Sequence, residues 1–148
     1  MTYLYQFLFF IGTFFIMEFM AWLTHKYVMH GFLWSLHKDN HHKHHDSWFE
    51  QNDAFFIFYA LVSIGCFLLW KYDIFVYGLS VGVGIFGYGM TYFLVHDIFI
   101  HQRFKWFRNA NSRYGKAVRR AHKIHHKHLG KEDGECFGML FFPLKYLK

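Results

Sequence analysis

Three long apolar runs, separated by polar segments, dominate the pattern of residues along this 148-residue chain. The first run has 21 residues and one charge, Glu18, whereas the second has 17 residues and the third has 22, with no charge in either. Because the hydrocarbon core of a bilayer is about 30 Å thick and is crossed by about 20 helical residues, each run predicts a membrane-spanning helix. We expect these helices near residues 3–24, 54–70 and 74–95, within a single membrane-embedded domain that covers 1–148.

Two terminal segments refine this prediction of an all-α integral membrane protein. The first run has no basic segment before it and no small-residue cleavage site after it, so it is interpreted as a retained anchor and not as a signal peptide. The segment 136–147 is too short, and too broken by Gly138 and Pro143, to span a bilayer, and its aromatic and lysine residues favour a place at the interface. The expected total is three to four transmembrane or membrane-embedded helices.

The third run is rich in glycine and contains a G-x-x-x-G pair at Gly78 and Gly82. Small residues let membrane helices approach closely, so tight helix packing is the main interpretation. The alternative is that the missing side chains open a groove for a long, flat ligand.

Basic residues are distributed unevenly around the apolar runs. Of the 16 Lys and Arg residues, only Lys71 lies between the second and third runs, three lie between the first and second, and twelve follow the third. Basic loops stay on the cytoplasmic side, so the N-terminus and the Lys71 turn are expected outside and every histidine inside. This topology and an anionic leaflet account for the net charge of +6, and nucleic-acid binding is set aside.

Histidines occur in the same order in the polar segments that follow the first and third runs. Each segment begins with an H-x4-H pair and continues with a motif that ends in two adjacent histidines. The first set is His25, His30, His37, His41 and His42, and the second set is His96, His101, His122, His125 and His126. Neutral imidazole is the commonest protein ligand for iron, zinc and copper, so the repeated spacing predicts a metal site.

Helical geometry brings some of these histidines together and separates others. At about 100° per residue, the three histidines of the last motif lie within one arc of about 100° and can converge on one site. His37 and His41 share a face, but His42 lies about 140° away. The H-x4-H pairs have the same offset of about 140°, so both members can serve only if the helix ends between or at them, and Gly31 is a candidate cap.

The number of imidazoles exceeds the coordination sphere of one first-row metal and suits two metals with four or five histidines each. Carboxylates are too scarce for the Glu-x-x-His di-iron site of helical bundles, and a two-His-one-carboxylate triad is not evident. Haem needs only isolated histidines on facing helices, which leaves the doublets unexplained. A zinc hydrolase would need a general-base carboxylate such as that of H-E-x-x-H, and the sequence lacks this motif.

Several polar residues are expected to support the site without binding metal. Glu18 lies seven residues before His25 on the same helical face, so it is a candidate to accept a hydrogen bond from that ligand. Asp53 and Asp97 are further candidates to orient histidines. Three histidines outside the repeated pattern are expected to be interfacial or to support the ligands: His44, His45 and His128.

Four segments together resemble the bacterial β-carotene hydroxylases, which belong to the membrane fatty-acid-hydroxylase superfamily. They read H-K-Y-V-M-H-G at 25–31, F-E-Q-N-D at 49–53, H-D-I-F-I-H-Q-R at 96–103 and H-K-I-H-H at 122–126. The tail segments G-K-E at 130–132 and F-G-M-L at 137–140 are similar as well. The resemblance covers nearly the whole chain.

This resemblance implies a centre of two non-haem iron ions that uses O2 to hydroxylate the β-ionone rings of carotenoids at C-3 and C-3′, giving zeaxanthin from β-carotene. Some members also accept ketolated rings. It further implies an apolar carotenoid that enters from the bilayer, electrons from an external ferredoxin and reductase, and a bacterial inner membrane with the histidines and the C-terminus in the cytoplasm. The alternatives are a fatty-acid or sterol hydroxylase or desaturase of the same superfamily and, from another class, a membrane metal carrier.

The second histidine motif departs from the H-x2-H-H form usual in that family, because His37 is followed by three residues before the next histidine. Counting back from the F-E pair makes His41 and His42 the doublet, whereas counting forward from His37 places Asn40 and His41 there. We expect His42 to be the ligand, because imidazole binds iron better than an amide oxygen does. The extra residue would then be absorbed by a helix break at Asp39–Asn40, with Asn40 beside the site or holding a water.

Overall fold

The computed structural model describes residues 2–42, 49–104, 106–107, 109 and 111–147, and in these residues the chain forms helices and no strand. The helices are α1 (Thr2–Leu23), α2 (Trp34–His41), α3 (Asp53–Lys71), α4 (Gly78–Tyr92), α5 (Arg113–His125) and a 3₁₀ turn at Leu144–Leu147. α1 runs directly into a first π-helical segment, Thr24–Phe32, and α4 runs into a second, Phe93–Ile100.

Three helical stretches are long and apolar enough to cross a membrane, which confirms the all-α membrane fold expected from the hydrophobic pattern. They are Tyr3–Phe32, Asp53–Lys71 and Gly78–Ile100. α4 begins at Gly78 and not near residue 74, because the amides of Ile74 and Phe75 both donate to the Leu69 carbonyl and close the end of α3, at 2.9 and 3.1 Å. Large apolar side chains cover the outer surface of these helices, as a lipid environment requires.

α4 packs between α1 and α3, and its glycines make this possible. A Cβ added at Gly82 would lie 2.5 Å from the Phe67 ring, and one added at Gly84 would lie 2.8 Å from Thr13. The Ser63 hydroxyl donates to the Gly82 carbonyl at 2.8 Å, a bond between the two helices inside the bundle. The tight-packing interpretation of the glycine-rich run is therefore confirmed.

The second H-x4-H pair lies at a helix end, as the sequence led us to expect, because the π-helical segment ends at Ile100 and His101 is its C-cap. The first pair lies in a π-helical segment that kinks just after it, at Gly31. The His101 amide donates to the His96 carbonyl at 2.9 Å, and Leu33 donates to Val28 at 3.0 Å, each five residues back. A π-helical hydrogen bond brings residues five positions apart toward one face, so both members of each H-x4-H pair point to the same side. Gly31 is not a left-handed cap: its φ of −106° and ψ of −121° form a kink within the first segment.

α2 is continuous from Trp34 to His41, so the helix break expected at Asp39–Asn40 is wrong. The last helical residue is His41, and the next residue, His42, has an extended backbone with φ −114° and ψ 98°. His37 and His41 consequently stay one turn apart on the buried face, and the extra residue is accommodated by this terminus.

α5 is fixed against the second π-helical segment. The Ser112 hydroxyl caps it by accepting from the Gly115 amide at 3.0 Å. A Cβ at Gly115 would lie 2.8 Å from the Phe99 ring, so glycine lets α5 approach closely. Arg119 adds a hydrogen bond to the Phe99 carbonyl at 3.1 Å and stacks its guanidinium over the ring of Phe99 at 3.9 Å. These contacts orient the histidine-bearing face of α5.

Candidate metal centre

Five buried histidines from three helices form the first cluster, and one ligand atom of each lies within 4.8 Å of all the others. The first π-helical segment supplies two of them, α2 supplies two and α5 supplies one: His25, His30, His37, His41 and His125. Burial of so many imidazoles in one place is costly unless their nitrogens are all paired or bound to a metal.

Each ring in the first cluster donates its Nδ1 proton to a fixed oxygen. For His25, His30, His37, His41 and His125 in turn, the acceptors are the Phe137 carbonyl, the Lys131 carbonyl, the Asn52 side-chain oxygen, the His128 carbonyl and the Glu135 carbonyl. These bonds measure 2.9, 3.0, 2.7, 3.0 and 2.9 Å. A carbonyl can only accept, so these bonds set the tautomer of each ring and turn its Nε2 inward.

The inward nitrogens then face one another as bare lone pairs. The Nε2 atoms of His25 and His37 are 3.1 Å apart, and those of His30 and His125 are 3.2 Å apart. The Nε2 of His41 is buried and has no hydrogen-bond partner in the described part of the chain. Lone pairs this close repel unless a cation lies between them. A metal about 2.1 Å from each nitrogen would space adjacent ligands roughly 3 Å apart, so these residues fit a bound metal ion.

The electrostatics of this cluster favour neutral imidazole, the form that binds metal. Burial lowers the pKa of His37 to about 2, with the neighbouring His41 and His30 adding to the effect. Burial likewise lowers the pKa of His125 to about 3 and that of His41 to about 4. These rings are uncharged at neutral pH, so a cation would not have to displace protons from them.

The second cluster is His96, His101 and His122, which come from the second π-helical segment, its C-terminal end and α5. The Nε2 atoms of His101 and His122 are 2.8 Å apart, and the Nε2 of His96 is buried without a hydrogen-bond partner among the described residues. Burial holds the pKa of His122 well below its usual range. This cluster is therefore a second group of converging imidazoles.

His126 lies between the two clusters. Its ring centroid is 4.3 Å from that of His41, 4.4 Å from that of His122 and 4.7 Å from that of His101. Its Nε2 is buried and has no hydrogen-bond partner in the residues that the structure covers. Burial lowers its pKa to about 2. His126 is thus placed to complete the second cluster.

The irregular second motif is arranged differently from the ligand assignment made on the sequence. His42 is exposed and belongs to neither cluster, whereas Asn40 is buried, with 4% of its surface exposed. Asn40 donates to Glu50 at 3.3 Å, and its Oδ1 has no partner among the described residues. The placement favours the forward count, with Asn40 and His41 on the inner face. His44 and His45 lie outside the described residues.

Among the described residues, none of the three acidic residues expected to orient histidines forms a hydrogen bond to one, although Asp97 comes near. Asp97 Oδ1 lies 3.4 Å from Nδ1 of His96. Asp53 instead forms two hydrogen bonds with Arg103, at 2.9 and 2.8 Å. The expectation that Glu18 accepts from His25 is wrong, because both nitrogens of that ring are already hydrogen-bonded or paired.

Glu18 binds the C-terminal segment instead. Its Oε1 accepts from the amides of Met139, Leu140 and Phe141 at 2.9, 2.8 and 3.0 Å, and its Oε2 accepts from the Tyr88 hydroxyl at 2.6 Å. The segment 136–147 was expected only at the interface, yet Met139 is buried in the bundle core. The carbonyls that orient four of the five histidines in the first cluster lie just before or within this segment.

Sequence reasoning also missed two side chains that touch the histidines. Asn52, which accepts a hydrogen bond from His37, directly precedes α3. A polar residue at the start of a membrane helix was the signal from which it could have been identified. Tyr92 stacks on His96 with ring centroids 4.7 Å apart and planes 29° apart. It lies one turn before that histidine, so helical spacing could have identified it.

An apolar cavity of about 540 Å³ lies among α1, α3 and α4, and side chains next to the histidines form one end of it. Its inner wall includes Thr24, Asn52, Tyr92 and Asp97, each bonded to or adjacent to a histidine of one cluster. A volume of roughly 300–1,000 Å³ is typical of sites for small organic ligands.

The outer part of the same cavity is lined by residues on the bundle surface. Phe56 and Ile57 of α3 are 43% and 55% exposed, and Met90 of α4 is 39% exposed. These residues belong to helices that are apolar enough to cross a membrane, so the cavity opens between α3 and α4 toward the lipid side.

Comparison with known proteins agrees with this arrangement. The fatty acid hydroxylase family matches residues 10–146. A β-carotene hydroxylase of Pantoea ananas is 38% identical over 128 residues, which is 86% of this chain and 71% of that protein. A β-carotene hydroxylase of Paracoccus sp. (strain N81106 / MBIC 01143) is 31% identical over 140 residues, 93% of this chain and 85% of its own length.

The similarity extends to plants. The chloroplastic β-carotene 3-hydroxylase 2 of Arabidopsis thaliana is 37% identical over 133 residues, which is 86% of this chain and 42% of the plant protein. No solved structure matches this chain. The family match spans nearly all of the chain and includes both histidine clusters, so this protein belongs to the fatty acid hydroxylase family.

Proposed function

We propose that this protein is a membrane monooxygenase that uses O2 to hydroxylate the β-ionone rings of carotenoids at C-3 and C-3′, converting β-carotene to zeaxanthin. The observation that carries the proposal is an apolar cavity that opens toward lipid and whose inner wall includes Asn52 and Tyr92, which contact His37 of the first cluster and His96 of the second. The β-carotene hydroxylases of bacteria and plants among its relatives support this choice of substrate.

The clusters would hold two non-haem iron ions. His25, His30, His37, His41 and His125 would bind one ion, and His96, His101, His122 and His126 would bind the other. When bound, the iron supplies the activation of O2 that oxidation of a weakly activated ring methylene requires. The first set has only neutral nitrogen donors, which suit iron among the first-row metals.

The protein's own contribution is to hold these donors rigidly. The backbone acceptors and Asn52 prevent the rings from turning, so their Nε2 atoms stay directed at the centre. His42 is left out of this ligand set because it is exposed. Asn40, with its buried Oδ1, is placed to hold a water beside the first cluster.

The cavity would orient the substrate and exclude water. Its wall is mostly aromatic and aliphatic, so it suits a ring and the adjoining part of a polyene. The Thr24 and Tyr59 hydroxyls bond to each other at 2.6 Å, which leaves this part of the wall without unsatisfied polar groups. A carotenoid carries its two rings at opposite ends of a long, rigid polyene, so only one ring at a time would lie beside the clusters and a monohydroxylated carotenoid would form before zeaxanthin.

The topology proposed for this reaction places the histidines and the C-terminus in the cytoplasm, at the bacterial inner membrane, as the distribution of basic residues indicates. The carotenoid would arrive from the bilayer through the opening between α3 and α4. Electrons would come from a ferredoxin-type donor and its reductase, because the chain has two cysteines and an iron–sulfur cluster needs four ligands.

The experiment that tests this proposal fills the cavity and leaves the metal site alone. Ala21 lines the cavity on α1, whereas Ile16 on the same helix is 60% exposed and lies outside the lining. In carotenoid-producing cells, Ala21→Phe should lose most β-carotene hydroxylation and keep its iron, and Ile16→Phe should keep both. Full activity of Ala21→Phe, or a wild-type protein that hydroxylates fatty acids and no carotenoid, would contradict the proposal.

A further inference from the structure

A stripe of basic side chains lies on the outer face of α5. Residues 98–131 contain ten Lys or Arg and no Asp or Glu. Within this stretch the exposed residues Lys116, Arg120, Lys123 and Lys127 follow one another at intervals of four, three and four. Such spacing puts the first three on one side of the helix, and the fourth follows just after its end. We call these four residues the α5 stripe.

The α5 stripe lies opposite the metal ligands on the same helix. His125 is nine residues after Lys116, which at about 100° per residue is half a turn away around the axis. His125 is fully buried, as are Ala117 and Val118. A helix with its side chains is about 10–12 Å across, so the stripe is one helix thickness from the first cluster.

The chemistry of the proposed reaction requires a partner that comes this close. The inference rests on the proposed function: reduction of O2 needs electrons delivered from outside. The chain has only Cys66 and Cys136, in different segments, so it carries no iron–sulfur centre of its own. The donor must therefore approach the histidine clusters from the side that is covered by one helix and faces away from the bundle.

We propose that the α5 stripe is the docking surface for an acidic one-electron carrier protein. Lys116, Lys123 and Lys127 form no ion pair with any described carboxylate, so their charges are available to a partner. A surface of one sign steers a partner of opposite sign and raises its association rate.

Anionic lipid is the competing occupant, and the structure disfavours it. A helix that lies on a membrane buries its apolar face in the lipid. On α5 that face is already covered, because Gly115 packs on Phe99, and Ala121 and His122 are buried within the protein. Apart from Tyr114 near its N-terminus, the exposed residues of α5 are charged, and a charged face with so little apolar surface suits a soluble acidic partner better than a bilayer.

The test combines charge reversal with two independent readouts in nanodiscs of neutral lipid. The variant is Lys116→Glu with Lys123→Glu, its rescue is Lys116→Arg with Lys123→Arg, and the control is Lys71→Glu, an exposed residue at the far end of α3. The first readout is the Kd for a purified acidic [2Fe–2S] ferredoxin, and the second is the KM for the same ferredoxin in carotenoid hydroxylation. Iron content and dithionite-driven turnover are measured on each sample, the latter as a single turnover in which protein reduced with dithionite and freed of excess reductant is exposed to O2.

Reversal should raise both Kd and KM for ferredoxin about tenfold or more and flatten the loss of binding with rising salt, because the attractive charges that salt screens are removed. Iron content and dithionite-driven turnover should stay at wild-type levels, and the arginine pair and Lys71→Glu should bind ferredoxin normally. An unchanged Kd in the reversed variant would overturn the inference. The inference would also fail if reversal left ferredoxin binding intact and weakened only the binding of the protein-containing nanodiscs to vesicles that contain phosphatidylglycerol. That result would assign the stripe to lipid headgroups. A wild-type protein that binds ferredoxin through the stripe and yet hydroxylates no carotenoid with dithionite would defeat the proposed function alone.

Discussion

Removal of the Glu18 carboxylate should release the metal although Glu18 touches no histidine. Glu18 is 5% exposed, and its two oxygens accept four hydrogen bonds, three of them from consecutive backbone amides of the C-terminal segment. That segment continues into Phe137 and Glu135, whose carbonyls orient His25 and His125. Loss of the carboxylate should therefore loosen the acceptors that hold two ligands of the first cluster.

The magnitude follows from the bonds that are broken. A buried donor that loses its partner costs about 1–3 kcal/mol, and Glu18→Ala leaves three amides and the Tyr88 hydroxyl without one. Phe141 is exposed and Leu140 is only partly buried, so water can reach some of these groups and the lower end of the range applies. We expect a loss of about 3–5 kcal/mol, or roughly two to three and a half orders of magnitude in the docking equilibrium of the segment.

The assay is iron per chain together with thermal unfolding in detergent, for a graded set of variants. Glu18→Gln keeps one acceptor oxygen for the amides and should retain most of its iron, whereas Glu18→Ala should lose iron and melt at a lower temperature. The control for truncation in α1 is Phe19→Ala, because Phe19 lies on the same helix and is 56% exposed. Wild-type iron content and melting temperature in Glu18→Ala would refute the reasoning.

Three further predictions concern the ligands directly. His125→Ala should insert normally but lose iron and hydroxylation, while His128→Ala should be mild, since only the backbone carbonyl of His128 is used; activity in membranes of both variants checks this. His42→Ala should keep iron and activity because the residue is exposed, and Asn40→Ala should lower activity more, so the reverse order of activities would restore the ligand assignment made on the sequence. Acid should release the metal between about pH 6.5 and pH 4, because burial holds the pKa of His41 at about 4 and that of His125 at about 3. Below pH 6.5 protons bind these histidines in the unfolded chain before they bind them in the folded protein. Each such histidine therefore lowers the folding stability by about 1.4 kcal/mol per pH unit. Full iron content at pH 4 would contradict this prediction.

The hydrophobic pattern was sufficient to predict the membrane helices, because a bilayer imposes length and apolarity on each span. The histidine order likewise indicated a metal site. It could not show the π-helical segments. Whether an amide donates to the carbonyl four or five residues back is a property of the backbone and is not visible in the histidine spacing. The assumption of regular α-helix made His25 and His30 diverge, and the i to i+5 hydrogen bonds bring them together.

Other features depend on contacts between distant parts of the chain. Glu18 lies seven residues before His25, which made a hydrogen bond between them plausible. Its Oε1 instead accepts from the amides of Met139 to Phe141, which are more than 120 residues away in sequence. The acceptors of the histidine protons are mostly backbone carbonyls, and a carbonyl leaves no trace in residue type. The position of His42 turned on where α2 ends, which local sequence did not determine.

The central claim is that two metal-loaded histidine clusters hydroxylate a carotenoid ring held in the apolar cavity. The most direct measurement is product analysis with the purified protein in nanodiscs, supplied with β-carotene, O2, ferredoxin and its reductase, together with metal analysis of the same sample. We expect about two iron atoms per chain and the successive appearance of a monohydroxylated carotenoid and zeaxanthin. A protein that holds its full metal content under these conditions and leaves β-carotene unchanged would contradict it.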